Sequence, residues 1–211
     1  MGKLYAYVEE IVTQRTIKPN TFASYALEAL DCGEITLREC IGIVGGYATA
    51  SLDTSANGVA AMFLMLAQHP EQWAMVRAEP ELALSAVREI LRLETPAAWF
   101  CRVTTREVTF DDLVIPANTR LIHSYAAANR DERAFRDPGR FDVRRDPTQA
   151  LTWGYGIHVC PGQFISVMEL TALLRAMTQR IEHIELTGEP VRRVHNMTRG
   201  LESLPMRVTG K

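Results

Sequence analysis

One cysteine in this sequence lies where its sulfur could act as a ligand or as a nucleophile. Cys160 occurs in the stretch LTWGYGIHVCPGQ, residues 151–163, directly before a long helical pattern. We expect the helix to start at Cys160 with Pro161 in its first turn, so that free backbone amides favour the thiolate. Gly154 and Gly162 leave room for a flat, bulky group to lie close against the loop.

Several kinds of chemistry would use a cysteine in this position. A thiolate under a glycine-rich loop suits the axial ligand of heme iron. It also suits a reactive nucleophile, although His158 lies too near in sequence to be read as an independent base. Zinc is a poor candidate, because His158 and Cys160 offer only two ligands and no second pair has suitable spacing. The remaining alternative is an inert cysteine that fills space.

A second polar feature interrupts an apolar helical pattern. We expect a helix over residues 36–68, opened by a capping box between Thr36 and Glu39. Residues 41–67 carry a single charge, Asp53, and exceed the length of about 20 residues that a membrane span needs. The centre of this segment is polar, with Ser51, Asp53, Thr54, Ser55 and Asn57. Because hydrocarbon would penalise these groups most at that depth, we interpret the segment as a helix through a protein core.

The remaining elements are mostly helices. The spacing of apolar residues predicts further helices at 3–16, 21–30, 70–80, 81–96 and 160–180. Alternation of Val, Thr and Ile predicts two or three short strands within 101–128, and the tail from Glu185 is also strand-like. We therefore predict one domain over residues 1–211, mainly α with a small β component.

Composition narrows the function classes. The chain has 211 residues, of which 47% are hydrophobic, and a formal net charge of −2. This charge gives no reason to expect nucleic acid or a membrane surface as a partner. The four cysteines form no CxxC pair, and the first residues lack the apolar core of a signal peptide. We expect a reducing, cytoplasmic location.

Several motifs together carry a resemblance to the cytochrome P450 family, and they occur in that family's order. WGYGIHVCPG resembles the heme-binding loop, and VREILRLETP contains Glu89 and Arg92 in the ExxR pattern of the family's K helix. FRDPGRFDVRR resembles the meander segment, and NRDE and VIPANT resemble two further segments. SLDTS resembles the acid–alcohol pair of the I helix. The resemblance extends over nearly the whole chain, from the end of the family's G helix to its C-terminus.

The resemblance implies a site for heme b (iron protoporphyrin IX), with Cys160 as the ligand of the metal. The other cofactor-binding residues that it implies are Arg102, Trp153, Gly154, His158 and Gly162. Arg102 and His158 match positions that hold the heme propionates in the family. Trp153 replaces the usual Phe near the sulfur.

The resemblance also implies functional residues away from this loop. Asp53 and Thr54 match the pair that relays protons and handles dioxygen. Glu89 and Arg92 match a buried network, which Arg140 would complete from the meander. A solvated surface pair on a helix would show the same spacing as Glu89 and Arg92.

The sequence departs from the family because it has no match to the N-terminal half, so we expect a truncated P450-like heme domain. One face of the heme and part of the core would then be open to water, and we expect a second copy of the chain or a partner chain to cover it. The expected function is a heme-thiolate oxidoreductase, either a monooxygenase with an electron-transfer partner or a peroxide-driven enzyme, acting on a small organic substrate. The alternative is a catalytically impaired module that acts by partner binding or self-association.

Overall fold

A computed structural model describes residues 2–211, which divide into two compact units. The first unit ends at Asp53, and the second comprises Thr54–Lys211. The structure is about 49% helical with 16% strand, which confirms the prediction of a mainly α protein with a small β component. This division into units does not test the prediction of a single domain, which stays a prediction.

The first unit is built from short helices and the start of a long one. These helices are α1 (Gly2–Thr13), α2 (Phe22–Asp31) and α3 (Leu37–Gln68). Their apolar faces share one core, formed by Val8, Val12, Ala26, Leu27, Cys40 and Val44. A β-carbon at Gly45 would lie 2.8 Å from the Tyr5 ring. Glycine at this position therefore lets the ring of α1 pack directly against the backbone of α3.

α3 begins where the sequence predicts. The Thr36 amide donates to the Glu39 carboxylate at 2.8 Å, and the Glu39 amide donates to the Thr36 hydroxyl at 3.3 Å. This capping box satisfies amides that a first helical turn leaves free. α3 then continues without a break through Asp53 and Thr54. None of the helices within residues 2–211 combines the length and apolar character that a membrane span requires.

The second unit contains the rest of α3 and further helices. They are α4 (Pro70–Ala78), α5 (Ala83–Glu94), α6 (Tyr125–Ala128) and α7 (Gln163–Arg180), with 3-10 turns at Pro80–Leu82 and Gly156–His158. The predicted helices over 70–80 and 81–96 are thus confirmed, with shorter ends. The core between the long helices is closely filled, and its most buried side chains include Leu66, Val76, Ile90 and Leu174.

Short antiparallel strand pairs complete the second unit. β1 (Trp99–Val103) pairs with β4 (Arg120–Ser124), β2 (Val108–Phe110) with β3 (Leu113–Ile115), β5 (Ile181–Leu186) with β8 (Met206–Gly210), and β6 (Val191–Arg192) with β7 (Leu201–Ser203). The described segment 99–124 therefore holds four strands instead of the expected two or three. The additional strand arises because Asp111, with a φ of +50°, turns the chain between β2 and β3.

Candidate functional site

The loop that carries Cys160 folds back on itself between Leu151 and Gly162. Backbone hydrogen bonds within the loop hold this shape. The Gly154 amide donates to the Leu151 carbonyl at 3.0 Å, and the Cys160 amide donates to the Trp153 carbonyl at 2.8 Å. The second bond fixes the backbone of the cysteine beside that of the tryptophan.

Glycine is needed at two points of this loop for its backbone conformation. Gly154 and Gly156 have φ angles of +73° and +69°, in the left-handed region that other residues rarely adopt. Space is also limited at Gly154, where a β-carbon would lie 3.3 Å from the Tyr125 hydroxyl oxygen and 3.5 Å from the His158 carbonyl oxygen. No atom lies within 4 Å of a β-carbon placed at Gly156. Gly154 is therefore packed against its surroundings, whereas Gly156 is open.

α7 begins at Gln163, and Gly162 is its N-cap, so the prediction that this helix starts at Cys160 is wrong. Pro161 and Gly162 form a turn instead, in which the Gln163 amide donates to the Cys160 carbonyl at 3.3 Å. The half-buried thiol lies before this turn, and a β-carbon at Gly162 would be 3.7 Å from its sulfur. Glycine thus leaves space beside the sulfur.

The surface of the loop and of the adjoining helix start is apolar and exposed. Tyr155, Ile157 and Phe164 are 85%, 97% and 84% exposed. Several large apolar side chains in one exposed segment indicate a binding surface, whereas single ones do not. A lone sulfur donor, framed by glycines and apolar side chains, has the chemistry of a heme-thiolate ligand site. The residues present therefore fit a heme b group.

The arginine and the histidine predicted to bind the heme carboxylates lie on different elements. Arg102 is half-buried on β1, and its Nη1 donates to the Cys101 carbonyl at 2.8 Å. His158 is exposed at the end of the 3-10 turn that precedes Cys160. Across residues 2–211, neither side chain forms an ion pair with a carboxylate. Both are therefore free to pair with an acidic group of a ligand.

Glu89 and Arg92 form a buried ion pair one turn apart on α5. Arg92 donates to the Glu89 carboxylate from Nε at 2.7 Å and from Nη2 at 2.9 Å, and both side chains are inaccessible to water. A second cation, Arg145, donates from its Nε to the same carboxylate at 2.9 Å. Burial of charge is costly unless the partners are in place. This pair is therefore a structural network and not a solvated surface pair.

Arg140 does not contribute its side chain to this network, in contrast to the prediction. Arg140 is exposed, and only its backbone carbonyl takes part in the network. This carbonyl accepts from Arg92 Nη2 at 3.5 Å and from Arg145 Nη2 at 3.3 Å. The reason is a turn in which the Arg140 amide donates to the Asp137 carbonyl at 3.0 Å. This turn presents the carbonyl of Arg140 to the network, and the charge comes from Arg145 in the following turn.

Asp53 and Thr54 are adjacent and half-buried in the middle of α3. Thr54 is the first residue of the second unit, and Asn57, one turn later, is buried there. At Gly58 a β-carbon would lie 3.3 Å from a methyl group of Leu170, so α3 and α7 are in close contact at this level. The polar stretch thus leads directly into the packed core of the second unit.

Two residues of the site escaped the sequence reasoning. Arg145 stands in the quoted meander segment, yet irregular spacing does not distinguish it from Arg140. Asn129 stands in the quoted NRDE segment, and its side chain bonds directly to the Cys160 loop. The available signal was an amide residue directly after the apolar run AAA, where a helix end leaves backbone groups to satisfy.

Comparison with known proteins identifies relatives of this chain. The Cytochrome P450 family model matches residues 2–207. Cytochrome p450 CYP199A2 of Rhodopseudomonas palustris is 37% identical over 204 residues, which cover 97% of this chain and 50% of that protein. Linalool 8-monooxygenase of Pseudomonas putida is 28% identical over 206 residues, which cover 97% of this chain and 51% of that protein.

The structural comparison agrees with the sequence comparison. The crystal structure of CYP108D1 from Novosphingobium aromaticivorans is similar with a TM-score of 0.92 at 30% identity, covering 100% of this chain and 52% of that one. The chain thus spans about half the length of the relatives that it matches. The resemblance drawn from the motifs is confirmed, and the chain belongs to the cytochrome P450 family.

Proposed function

We propose that this chain forms the heme-thiolate part of an oxidoreductase that oxidises a small organic substrate, as a monooxygenase or with peroxide. The half-buried Cys160 thiol carries this proposal, because the glycines around it and the exposed apolar side chains of its loop suit a flat cofactor. Family relatives named as a hydroxylase and a monooxygenase support it.

Several side chains would hold the cofactor. Cys160 would bind the iron of heme b, which supplies the oxidation of C–H bonds when bound. Arg102 and His158 would pair with its carboxylates through charge-assisted hydrogen bonds. Trp153, which packs against the core of the second unit, would orient the cysteine through its backbone carbonyl. The apolar side chains of the loop would keep water away from the sulfur.

Asp53 and Thr54 would manage protons in the proposed reaction. The Thr54 hydroxyl can donate and accept a hydrogen bond without carrying charge. The Asp53 carboxyl belongs to the preceding residue and can resupply a proton as a general acid. Both residues are half-buried, so the pair combines partial shielding with contact to water.

A partner surface is also part of the proposal. A groove of about 380 Å³ between α5 and α7, named here the α5–α7 groove, is lined by residues including Leu84, Arg88, Phe164, Met168 and Arg175. Phe164 and Met168 are exposed there. A second copy of the chain or a partner chain would cover this surface, and a separate protein would deliver electrons if the enzyme is a monooxygenase. We place the protein in the cytoplasm, where its four free cysteines stay reduced.

The test is an absorption spectrum of the purified protein with hemin, reduced and exposed to carbon monoxide. The wild type should show the strongly red-shifted Soret band of a thiolate ligand, and Cys160→Ser should lose it. Thr54→Ala is the matched control, because it removes a hydroxyl on α3 and leaves the ligand intact. A wild-type band at the shorter wavelength of imidazole or neutral thiol, or no Soret band, would contradict the proposed function.

A further inference from the structure

Asn129 is a fully buried amide side chain whose hydrogen bonds reach the Cys160 loop. It is 0% exposed. Its Oδ1 accepts from the Leu151 amide at 2.7 Å. Its Nδ2 donates to the hydroxyls of Thr152 and Thr95, each at 3.0 Å. One side chain therefore ties the first two residues of the loop to the end of α5.

The backbone of Asn129 is joined to the buried ion-pair network. Its carbonyl accepts from Arg92 Nη1 at 2.6 Å, while the same guanidinium binds Glu89. Its amide donates to the Tyr125 carbonyl at 2.8 Å, which fixes it at the end of α6. Asn129 is thus in direct contact with the network on one side and with the loop on the other.

The bonds continue from Leu151 to the cysteine. The Leu151 carbonyl accepts from the Gly154 amide, and the neighbouring Trp153 carbonyl accepts from the Cys160 amide at 2.8 Å. The Thr152 hydroxyl, held by Asn129, also donates to the Leu91 carbonyl on α5 at 3.3 Å. The start of the loop is therefore fixed to α5. This anchored part lies next to Trp153, whose carbonyl holds the Cys160 amide.

Only an amide side chain of this length supplies one acceptor and two donors from the same plane. Asn129 uses all of them, at the Leu151 amide and at the two threonine hydroxyls. A smaller or apolar residue would leave the Leu151 amide without its acceptor, and the Thr152 and Thr95 hydroxyls would keep only their bonds to the Leu91 and Arg92 carbonyls. A rigid link of this kind favours one position of a ligand over many.

We propose that Asn129 is a positioning residue for Cys160, which transmits the rigidity of the Glu89–Arg92 network to the ligand loop. The statement that this positioning prepares the Cys160 sulfur to bind iron rests on the proposed function. The hydrogen-bond link itself does not.

The first test measures hydrogen exchange of the Leu151 and Cys160 amides in the protein without heme. In Asn129→Ala both amides should exchange about tenfold faster or more, because the loop loses its buried anchor. Gln72→Ala is the control for general loss of stability, since Gln72 is also a buried amide and accepts from the Val143 amide at 3.0 Å. Equal acceleration of the two amides in both variants would overturn the proposal.

Thr152→Val serves as a milder variant if Asn129→Ala folds poorly. It removes one acceptor of Asn129 and keeps the volume of the side chain, so the Leu151 amide should still exchange several-fold faster than in the control. No acceleration at Leu151 in Thr152→Val would also count against the link.

The second test uses the carbon monoxide spectrum with hemin. Asn129→Ala should shift a substantial part of the Soret absorbance to the shorter-wavelength form, while Gln72→Ala should keep the wild-type band. If the wild type itself shows no thiolate band, the proposed function fails, and the exchange experiment still decides whether Asn129 anchors the loop. If exchange accelerates at Leu151 but the ligand band is unchanged, the positioning role is wrong.

Discussion

Single residues in the second unit are constrained most strongly where a charge is buried. Glu89 has no contact with water, and its carboxylate is satisfied by Arg92 on the same helix and by Arg145 from the following irregular segment. An unpaired charge in this position would be strongly destabilising. Which arginine pairs with Glu89 therefore depends on which side chain can reach its carboxylate.

Arginine substitutions test this assignment directly. Arg145→Ala should lower the free energy of unfolding by roughly 3 kcal/mol, because it leaves the buried Glu89 carboxylate with one cation fewer. Arg140→Ala should change it by less than about 0.5 kcal/mol, because the exposed side chain makes no contribution to the network. Urea denaturation of both variants gives the comparison. A larger loss in Arg140→Ala than in Arg145→Ala would contradict it.

The predictability of these residues depends on the regularity of the backbone that carries them. Glu89 and Arg92 could be paired from the sequence, because a spacing of three residues on a helix brings side chains together. Arg140 and Arg145 stand in a segment of consecutive turns without a repeat. Which of them points inward depends on turn geometry that a motif does not contain. The buried role of Asn129 likewise depends on contacts with residues distant in sequence.

At the scale of elements, helix starts differ in whether neighbouring residues alone determine them. The start of α3 is determined by Thr36 and Glu39, which bond to each other across one turn. The start of α7 is different, because Pro161 suits either a first helical turn or an isolated turn. The structure has the isolated turn, with Gly162 as the N-cap. The start of α3 could therefore be predicted from its capping residues, whereas the start of α7 could not be predicted from its proline.

The capping box of α3 should make stability depend on pH. Hydrogen bonds from the Thr36 backbone amide and hydroxyl hold the pKa of the Glu39 carboxyl below its ordinary value. A lowered folded-state pKa stabilises the protein above the ordinary pKa of glutamate, and this stabilisation is lost as pH falls through the lower value. Thermal unfolding across acidic pH should therefore show a steeper loss for the wild type than for Glu39→Gln.

Thr36→Ala provides the second arm of this experiment. It should destabilise the protein by about 1 kcal/mol at neutral pH, because the cap loses its hydroxyl. In this variant the Glu39 pKa should move back toward its ordinary value. Lys18→Ala, at an exposed site outside the helices, serves as the control. Identical pH profiles for the wild type and Glu39→Gln would show that the box does not act through its charge.

At the scale of the whole molecule, the chain corresponds to only part of its relatives. It spans about half of their length, and within the second unit the α5–α7 groove presents exposed apolar side chains beside Arg88 and Arg175. The fold class and the order of the motifs could be read from the sequence. The location of the groove could not, because it depends on which faces of two helices pack against each other.

Substitution in the α5–α7 groove tests the expected self-association. Phe164→Glu combined with Met168→Glu should weaken association of the chain with itself about tenfold or more, because it places charges in an apolar contact. Val194→Glu, at a fully exposed residue outside the groove, is the control. Sedimentation velocity over a range of concentrations measures the effect. A wild-type chain that stays monomeric at high concentration would exclude a second copy as the occupant.

The two left-handed glycines of the Cys160 loop impose different limits on how this loop can diverge. Gly154 is restricted both by its φ angle and by the Tyr125 hydroxyl next to it, so a side chain there meets a backbone penalty and a collision. Within the chain itself, Gly156 is restricted by its φ angle and by no neighbouring atom, and asparagine tolerates that angle best after glycine. As far as contacts within the chain are concerned, the second position therefore admits asparagine, while the first is held at glycine for as long as Tyr125 remains its neighbour.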